Sequence, residues 1–148
     1  MSVQQSQNKR IVQRLLREVL EEGRLEVLDE IAWPDHVEHY PFPGELQGVE
    51  GLKQRASIVR AAFDPTYTIE HLIAEGDKVA VMWSARCEHV GEWFGFPPSG
   101  KSVTFRGVDI LLLRDGRLAE HWDAVDSSEF LVVVGTMPAP AGTAAAQR

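Results

Sequence analysis

Three residues in the last third of the chain, Asp109, His121 and Asp123, are of types that trade protons. A carboxyl group set among apolar neighbours has a raised pKa, because desolvation disfavours its charged form. A second carboxylate close by pushes the same way. Such a group acts as acid or base near neutral pH and contributes roughly 10²–10⁴-fold in rate. An imidazole beside it can orient a carboxylate, act as its acid–base partner, or hydrogen-bond a substrate oxygen. Each has a bland alternative. Asp123 competes with a solvated strand end or an ion pair to Arg106 or Arg117, Asp109 with a buried Asp that fixes strand register, and His121 with a satisfied core histidine.

A hairpin has to bring the three together. Asp115-Gly116 separates two alternating apolar runs, Val103 to Leu113 and Arg117 to Val125. Asp-Gly in that setting is a strong hairpin signal. Read as a three-residue loop of Arg114, Asp115 and Gly116 with Gly116 left-handed, it pairs Leu113 with Arg117, Leu111 with Ala119 and Asp109 with His121. Alternation then puts Phe105, Asp109, Leu111, His121, Asp123 and Val125 on one face. Val108, Ile110, Leu112, Leu118, Trp122 and Ala124 fall on the other. A face so apolar needs cover, and a second copy of the chain is the expected cover, giving a homodimer.

The remaining elements follow from periodicity. Ile11, Val12, Leu15, Leu16, Val19 and Leu20 recur at helical spacing, with Gly23 as a stop. Leu25, Leu28 and Ile31 mark a second short helix, ended by Trp33-Pro34. Asp35 to Tyr40 reads as an extended segment. Val49, Leu52, Ala56, Val59 and Phe63 mark a third helix. From Thr66 the period becomes two, through Ile73 and again from Val79 to Cys87, before a Gly/Pro-rich loop from Val90 to Lys101. Phe130 to Met137 closes the pattern as a strand or a short helix. Helices first and an antiparallel sheet after them is an α+β layout. A long antiparallel sheet with helices on one face curls into a cone, and its inner face becomes a pocket wall.

That architecture nominates lining residues. His39, Tyr40, Trp83 and Phe105 are candidates for the pocket wall, and Trp93 and Phe96 for a lid that excludes water. Trp93 and Phe96 compete with simple packing, and Trp83 with a core role. His36 and His39 stand three apart, but on an extended segment they point to opposite faces. With no third ligand, no metal site is expected. His71 and His89 are expected at the surface or rim, and Cys87 as a buried thiol.

Length and composition bound the class. A chain of 148 residues is one domain, taken as 1–137, with a disordered tail at 138–148. A net charge of −7 argues against nucleic acid and against an anionic membrane as partners. Met1 to Arg10 lacks the apolar core of a signal peptide, and no apolar run spans a membrane, so a cytoplasmic location is expected. There is no phosphate-cradling loop and no GxSxG elbow.

Several motifs resemble one family. Gly95-Phe96-Pro97-Pro98-Ser99-Gly100-Lys101, Phe105-Arg106-Gly107-Val108-Asp109-Ile110 and Asp115-Gly116-Arg117-Leu118-Ala119-Glu120-His121-Trp122-Asp123 look like the SnoaL-like polyketide cyclases, often labelled ester cyclases. Gly48-Val49-Glu50-Gly51-Leu52-Lys53 and Ile73-Ala74-Glu75-Gly76-Asp77-Lys78-Val79-Ala80 match as well. The resemblance runs from Ile11 to Asp126. It implies a nuclear-transport-factor-2-like α+β cone, usually dimeric, acting on an apolar or aromatic small molecule without a cofactor. The characterised cyclases close a ring by intramolecular aldol condensation, using an aspartate that maps onto Asp123. They also place a histidine on the preceding strand, where this chain has Asp109. The fold also hosts isomerases, dehydratases, epoxide hydrolases and non-catalytic binders. An epoxide hydrolase would need Arg106 to reach Asp109 or Asp123, and strand parity points Arg106 to the other face.

Overall fold

A computed structural model describes residues 1–141 of the chain. The first helix, α1 (Val3–Arg14), opens on a capping box in which Ser2 and Gln5 satisfy each other's backbone N–H groups. It passes directly into a π-helical stretch, Leu15–Glu21, that keeps Leu15, Leu16 and Val19 buried. Gly23 follows with φ +76°, a left-handed stop that glycine adopts at no steric cost. Then come α2 (Val27–Ile31), β1 (Ala32–Glu38), α3 (Gly48–Phe63), β2 (Thr66–Glu75), β3 (Lys78–Glu88), β4 (Ser102–Arg114), β5 (Arg117–Asp126) and α4 (Ser128–Val133). The ambiguous segment after Phe130 thus divides between a short helix and an irregular end. Of the expected tail, residues 142–148 lie outside the described residues.

The five strands form one curved, unclosed sheet in the order β1-β5-β4-β3-β2. β2 to β5 pair antiparallel as expected, while β1 joins the edge parallel to β5. The N-terminal helices cover the inner face. Val12, Leu16 and Leu28 from the helical layer meet Val79, Val81, Leu111 and Leu118 from the sheet, all nearly inaccessible. Burial along β3 and β4 alternates strictly, which is the pattern of a sheet with one covered face.

The hairpin register differs from the sequence reading in an instructive way. Asp115 and Gly116 both have positive φ, +50° and +74°. The turn therefore has two residues, not three, and Arg114 pairs with Arg117 and Leu113 with Leu118. This turns Leu118 inward, where it is fully buried rather than part of the outer stripe. A bulge at Ala119 then restores the phase, so that Leu112 pairs with Glu120 and Leu111 with His121. Asp109 consequently lies opposite Asp123, not His121. The two departures add to a shift of two residues beyond the bulge, which preserves the alternation, so all three acid–base side chains still share the inner face.

Candidate functional site

A cavity of about 210 Å³ lies between α3, the π-helical stretch and the inner face of the sheet. Its walls are mostly apolar: Leu15, Val19, Leu52, Val59, Phe63 and Phe105 are among the lining residues. Asp109, His121 and Asp123 all line it, and one ligating atom from each lies within 4.8 Å of the others.

Each acid–base group is held differently. Asp109 is fixed on both oxygens. Trp83 Nε1 donates to its Oδ2 at 2.9 Å, and His121 Nε2 stands 3.2 Å from Oδ1. Trp83 reaches across β4 because residue 107 is glycine: a Cβ there would sit 2.4 Å from the indole ring. His121 is in turn clamped from the other side, its Nδ1 2.5 Å from Glu38 Oε2. Burial disfavours the imidazolium, but the two carboxylates, Asp109 and Glu38, outweigh it and push the pKa up to about 10. His121 is therefore a fixed cation at neutral pH, donating from both ring nitrogens. The Glu38 side chain is itself about nine-tenths buried. Burial works to raise its pKa, yet the hydrogen bond and charge of His121 hold it below the ordinary value.

Asp123 is the exception in the cluster. Among the described residues no side chain or backbone group hydrogen-bonds its carboxyl, and its nearest cation, Arg55 Nη1, is 3.7 Å away. Burial raises its pKa and Asp109 adds to the rise, while His121 and Arg55 oppose it. A cavity-facing carboxyl with a raised pKa and no competing hydrogen bond is able to take or give a proton to a bound molecule.

Sequence reading missed three members of this cluster. Arg55 of α3 is about nine-tenths buried. Its Nε lies 2.8 Å from Glu45 Oε1, its Nη2 donates to the Tyr40 carbonyl at 2.8 Å, and it sits over the Phe42 ring at 4.2 Å. A signal was available, since Arg55 falls on the same helical stripe as Leu52, Ala56 and Val59. Glu38 shares strand parity with His36, which also faces inward. Glu45 lies in an irregular loop and carried no pattern. Tyr67 lines the cavity from β2, with its hydroxyl pKa raised mainly by burial.

The nominated wall residues divide. Trp83, Trp93 and Phe105 line the cavity. At the rim, Phe42 packs edge-on against both Trp93 and Phe94, joining the 39–47 loop to the Gly/Pro-rich loop. His39 does not line the cavity: it stacks on Trp122 at 4.3 Å and pairs with Glu120, both consequences of its outward parity. Tyr40 is 58% exposed and contributes backbone alone: its carbonyl accepts from Arg55 and its N–H donates to Glu38 Oε1 at 3.1 Å. Phe96 packs edge-on against Phe130 and is absent from the lining. His89 is fully buried rather than at the rim, between Phe63 and Phe130, with Ser99 on its Nδ1. His36 is buried against the cavity with no hydrogen bond to either ring nitrogen, and burial lowers its pKa to about 4. Arg106 points outward, as parity required, and pairs electrostatically with Asp126.

An α+β cone with an acid–base cluster on the inner face of its sheet is the architecture of a small-molecule pocket protein. The chain belongs to the SnoaL-like polyketide cyclase family, which matches it over residues 10–131. Solved structures agree. TsrD from Streptomyces laurentii is 26% identical, with a TM-score of 0.80 over 92% of this chain and 100% of that one. IdmH from Streptomyces antibioticus, assigned as a polyketide cyclase, is 31% identical, with a TM-score of 0.74 over 87% of this chain and 99% of that one. A protein from Acidithiobacillus ferrooxidans with the same assignment is 32% identical, with a TM-score of 0.72 over 85% of this chain and 92% of that one. No curated protein matches the chain. Family and fold together give a cyclase-like enzyme or a ligand-binding role.

Proposed function

We propose that the protein is a cofactor-free acid–base enzyme of the cyclase type, closing a ring by intramolecular aldol condensation of an apolar or aromatic small molecule. The observation that carries this reading is the Asp123 carboxyl: it faces an apolar cavity, has a raised pKa, and among the described residues no group hydrogen-bonds it. In the first step Asp123 takes a proton from carbon next to a carbonyl, and the electron pair of the C–H bond passes to the carbonyl oxygen as an enolate. The enolate carbon then attacks a second carbonyl of the same molecule. The new C–C bond leaves an alkoxide, and Asp123 returns its proton there. Asp109 and His121 are positioning residues: the Trp83–Asp109–His121–Glu38 chain is satisfied end to end and fixes the field around Asp123. Trp93 and Phe105 supply flat apolar surface for the substrate, and the rim contact of Phe42 with Trp93 shields the enolate from water.

Replacing Asp123 by Asn and assaying ring closure of polyketide-like esters tests the reading. A loss of about 10²–10⁴-fold in kcat is expected, and wild-type kcat/KM should rise with pH as Asp123 ionises. Unchanged turnover in Asp123→Asn eliminates the acid–base role and leaves a binding protein. We further propose a cytoplasmic homodimer formed through the outer sheet face, where Ile73, Met82, Val108 and Ile110 are exposed. A monomer in sedimentation at micromolar concentration would rule that assembly out.

A further inference from the structure

The cluster contains a donor for which the mechanism above has no use. Arg55 has three nitrogens, and two of them are committed. Nε is bound to Glu45, and Nη2 donates to the Tyr40 carbonyl. Among the described residues Nη1 makes no hydrogen bond. Its nearest acceptors, Glu38 Oε2 and Asp123 Oδ2, are both at 3.7 Å. That separation is too long for a hydrogen bond and too short to admit an atom between the groups, so a ligand oxygen reaches Nη1 from the cavity side, next to Asp123. Arg55 lines the cavity, and its side chain is only 10% exposed. Nη1 is open to the cavity, where a ligand oxygen can take up its unused donor capacity.

We propose that Arg55 Nη1 is the oxyanion-binding donor of this site, holding the substrate's carbonyl oxygen as it becomes an enolate. This rests on the reading of Asp123 as the base. The charge arithmetic favours it. Before proton transfer the negative charge is on Asp123, 3.7 Å from Nη1. Afterwards Asp123 is neutral, and the charge is on an oxygen bound to the same nitrogen. The cation faces one mobile negative charge throughout, with Glu38, Asp109 and His121 unchanged around it. The guanidinium is also held before substrate arrives, by Glu45, the Tyr40 carbonyl and the Phe42 ring. A preorganised donor of this kind stabilises a developing anion without reorganising during the reaction. The substrate class narrows accordingly. The molecule presents a neutral, enolisable carbonyl to Arg55 and Asp123 together, and a free carboxylate at that position would face Glu38, Asp109 and the ionised base at once.

The test reads ionisation of a bound probe and needs no turnover. A nitro-substituted naphthol, coloured only as its anion, stands in for the enolate. It is titrated with the full chain carrying Asp123→Asn, which mimics the protonated base. The bound probe should ionise at lower pH than the free probe, with a preference for the anion of about 10- to 100-fold. Adding Arg55→Met should abolish that preference. Adding Glu45→Gln instead loosens the loop but leaves Nη1 in place, and most of the preference should survive. If Arg55→Met does not fold, Arg55→Lys decides. One ammonium cannot serve Glu45, the Tyr40 carbonyl and the probe together, so the preference should fall about tenfold. A bound probe that ionises as it does in free solution overturns the proposal, and so does an equal loss in the Arg55 and Glu45 variants. If the probe depends on Arg55 while Asp123→Asn still turns over substrate, the anion site stands and the base assignment fails.

Discussion

The doubly clamped imidazolium makes the protein's stability fall as pH rises, and the size of the fall can be worked out. His121 moves from an unfolded pKa near 6.5 to about 10 in the fold. The folded state therefore holds a proton that the unfolded chain gives up between those values. Stability from this group is complete below pH 6.5 and is lost as pH rises through about 10. An interval of about 3.5 units is worth on the order of 4–5 kcal/mol, a large part of the roughly 5–15 kcal/mol that holds a domain folded. His36 works in the opposite direction. It is buried neutral with its pKa lowered to about 4, so its contribution is complete above pH 6.5 and fades as pH falls toward 4. The two together put the stability maximum near pH 6.5. Urea unfolding followed by tryptophan fluorescence from pH 5 to 10.5 measures this. NMR titration of the five histidines identifies the ring responsible. Glu38→Gln removes one side of the clamp and should bring the alkaline decline to lower pH. A His121 ring that titrates near 6.5, or a flat stability profile between pH 7 and 10, refutes the clamp and with it the fixed cation beside Asp123.

Two further perturbations probe the supports of the site. Gly107→Ala would drive a methyl group into the Trp83 ring and pull the indole from Asp109. The expected cost is about 1–3 kcal/mol, seen as a lower urea midpoint, and an unchanged midpoint would show that Trp83 has room to move. Cys87 is buried, and burial pushes its thiol up to about 12, so alkylation at pH 8 should be slow in the native protein and fast in urea. Rapid labelling without denaturant would contradict its burial.

The hairpin, the helices and the inner face were legible in the sequence because each leaves a periodic trace. Asp115-Gly116 located the turn, and alternation placed Asp109, His121 and Asp123 together. The register was misread by one at the turn because asparagine-like backbone freedom at Asp115 allows a second left-handed residue, and by two beyond the bulge. The compensating bulge at Ala119 has no signature of its own. The partnership of Glu38, Glu45 and Arg55 was illegible for a different reason. They come from a strand, a loop and a helix, and their partnership exists only once the fold has closed. Arg55 was marked by its place on the apolar stripe of α3, but nothing along the chain tied it to the two glutamates. His89 was misplaced because its burial depends on aromatic neighbours, Phe63 and Phe130, that are far away in sequence.

The bulge at Ala119 also decides which changes of length this hairpin absorbs. Leu113 already pairs with Leu118 and Leu112 with Glu120, so losing Ala119 alone would close an unbroken ladder, with the indole of Trp122 still outdoors and the Asp123 acid still indoors. Adding one residue that no second bulge takes up would swap the two sides for everything downstream. The extra residue is thus slack in the strand: the hairpin can shed it and keep its facing, but cannot gain another in line without turning the acid outward.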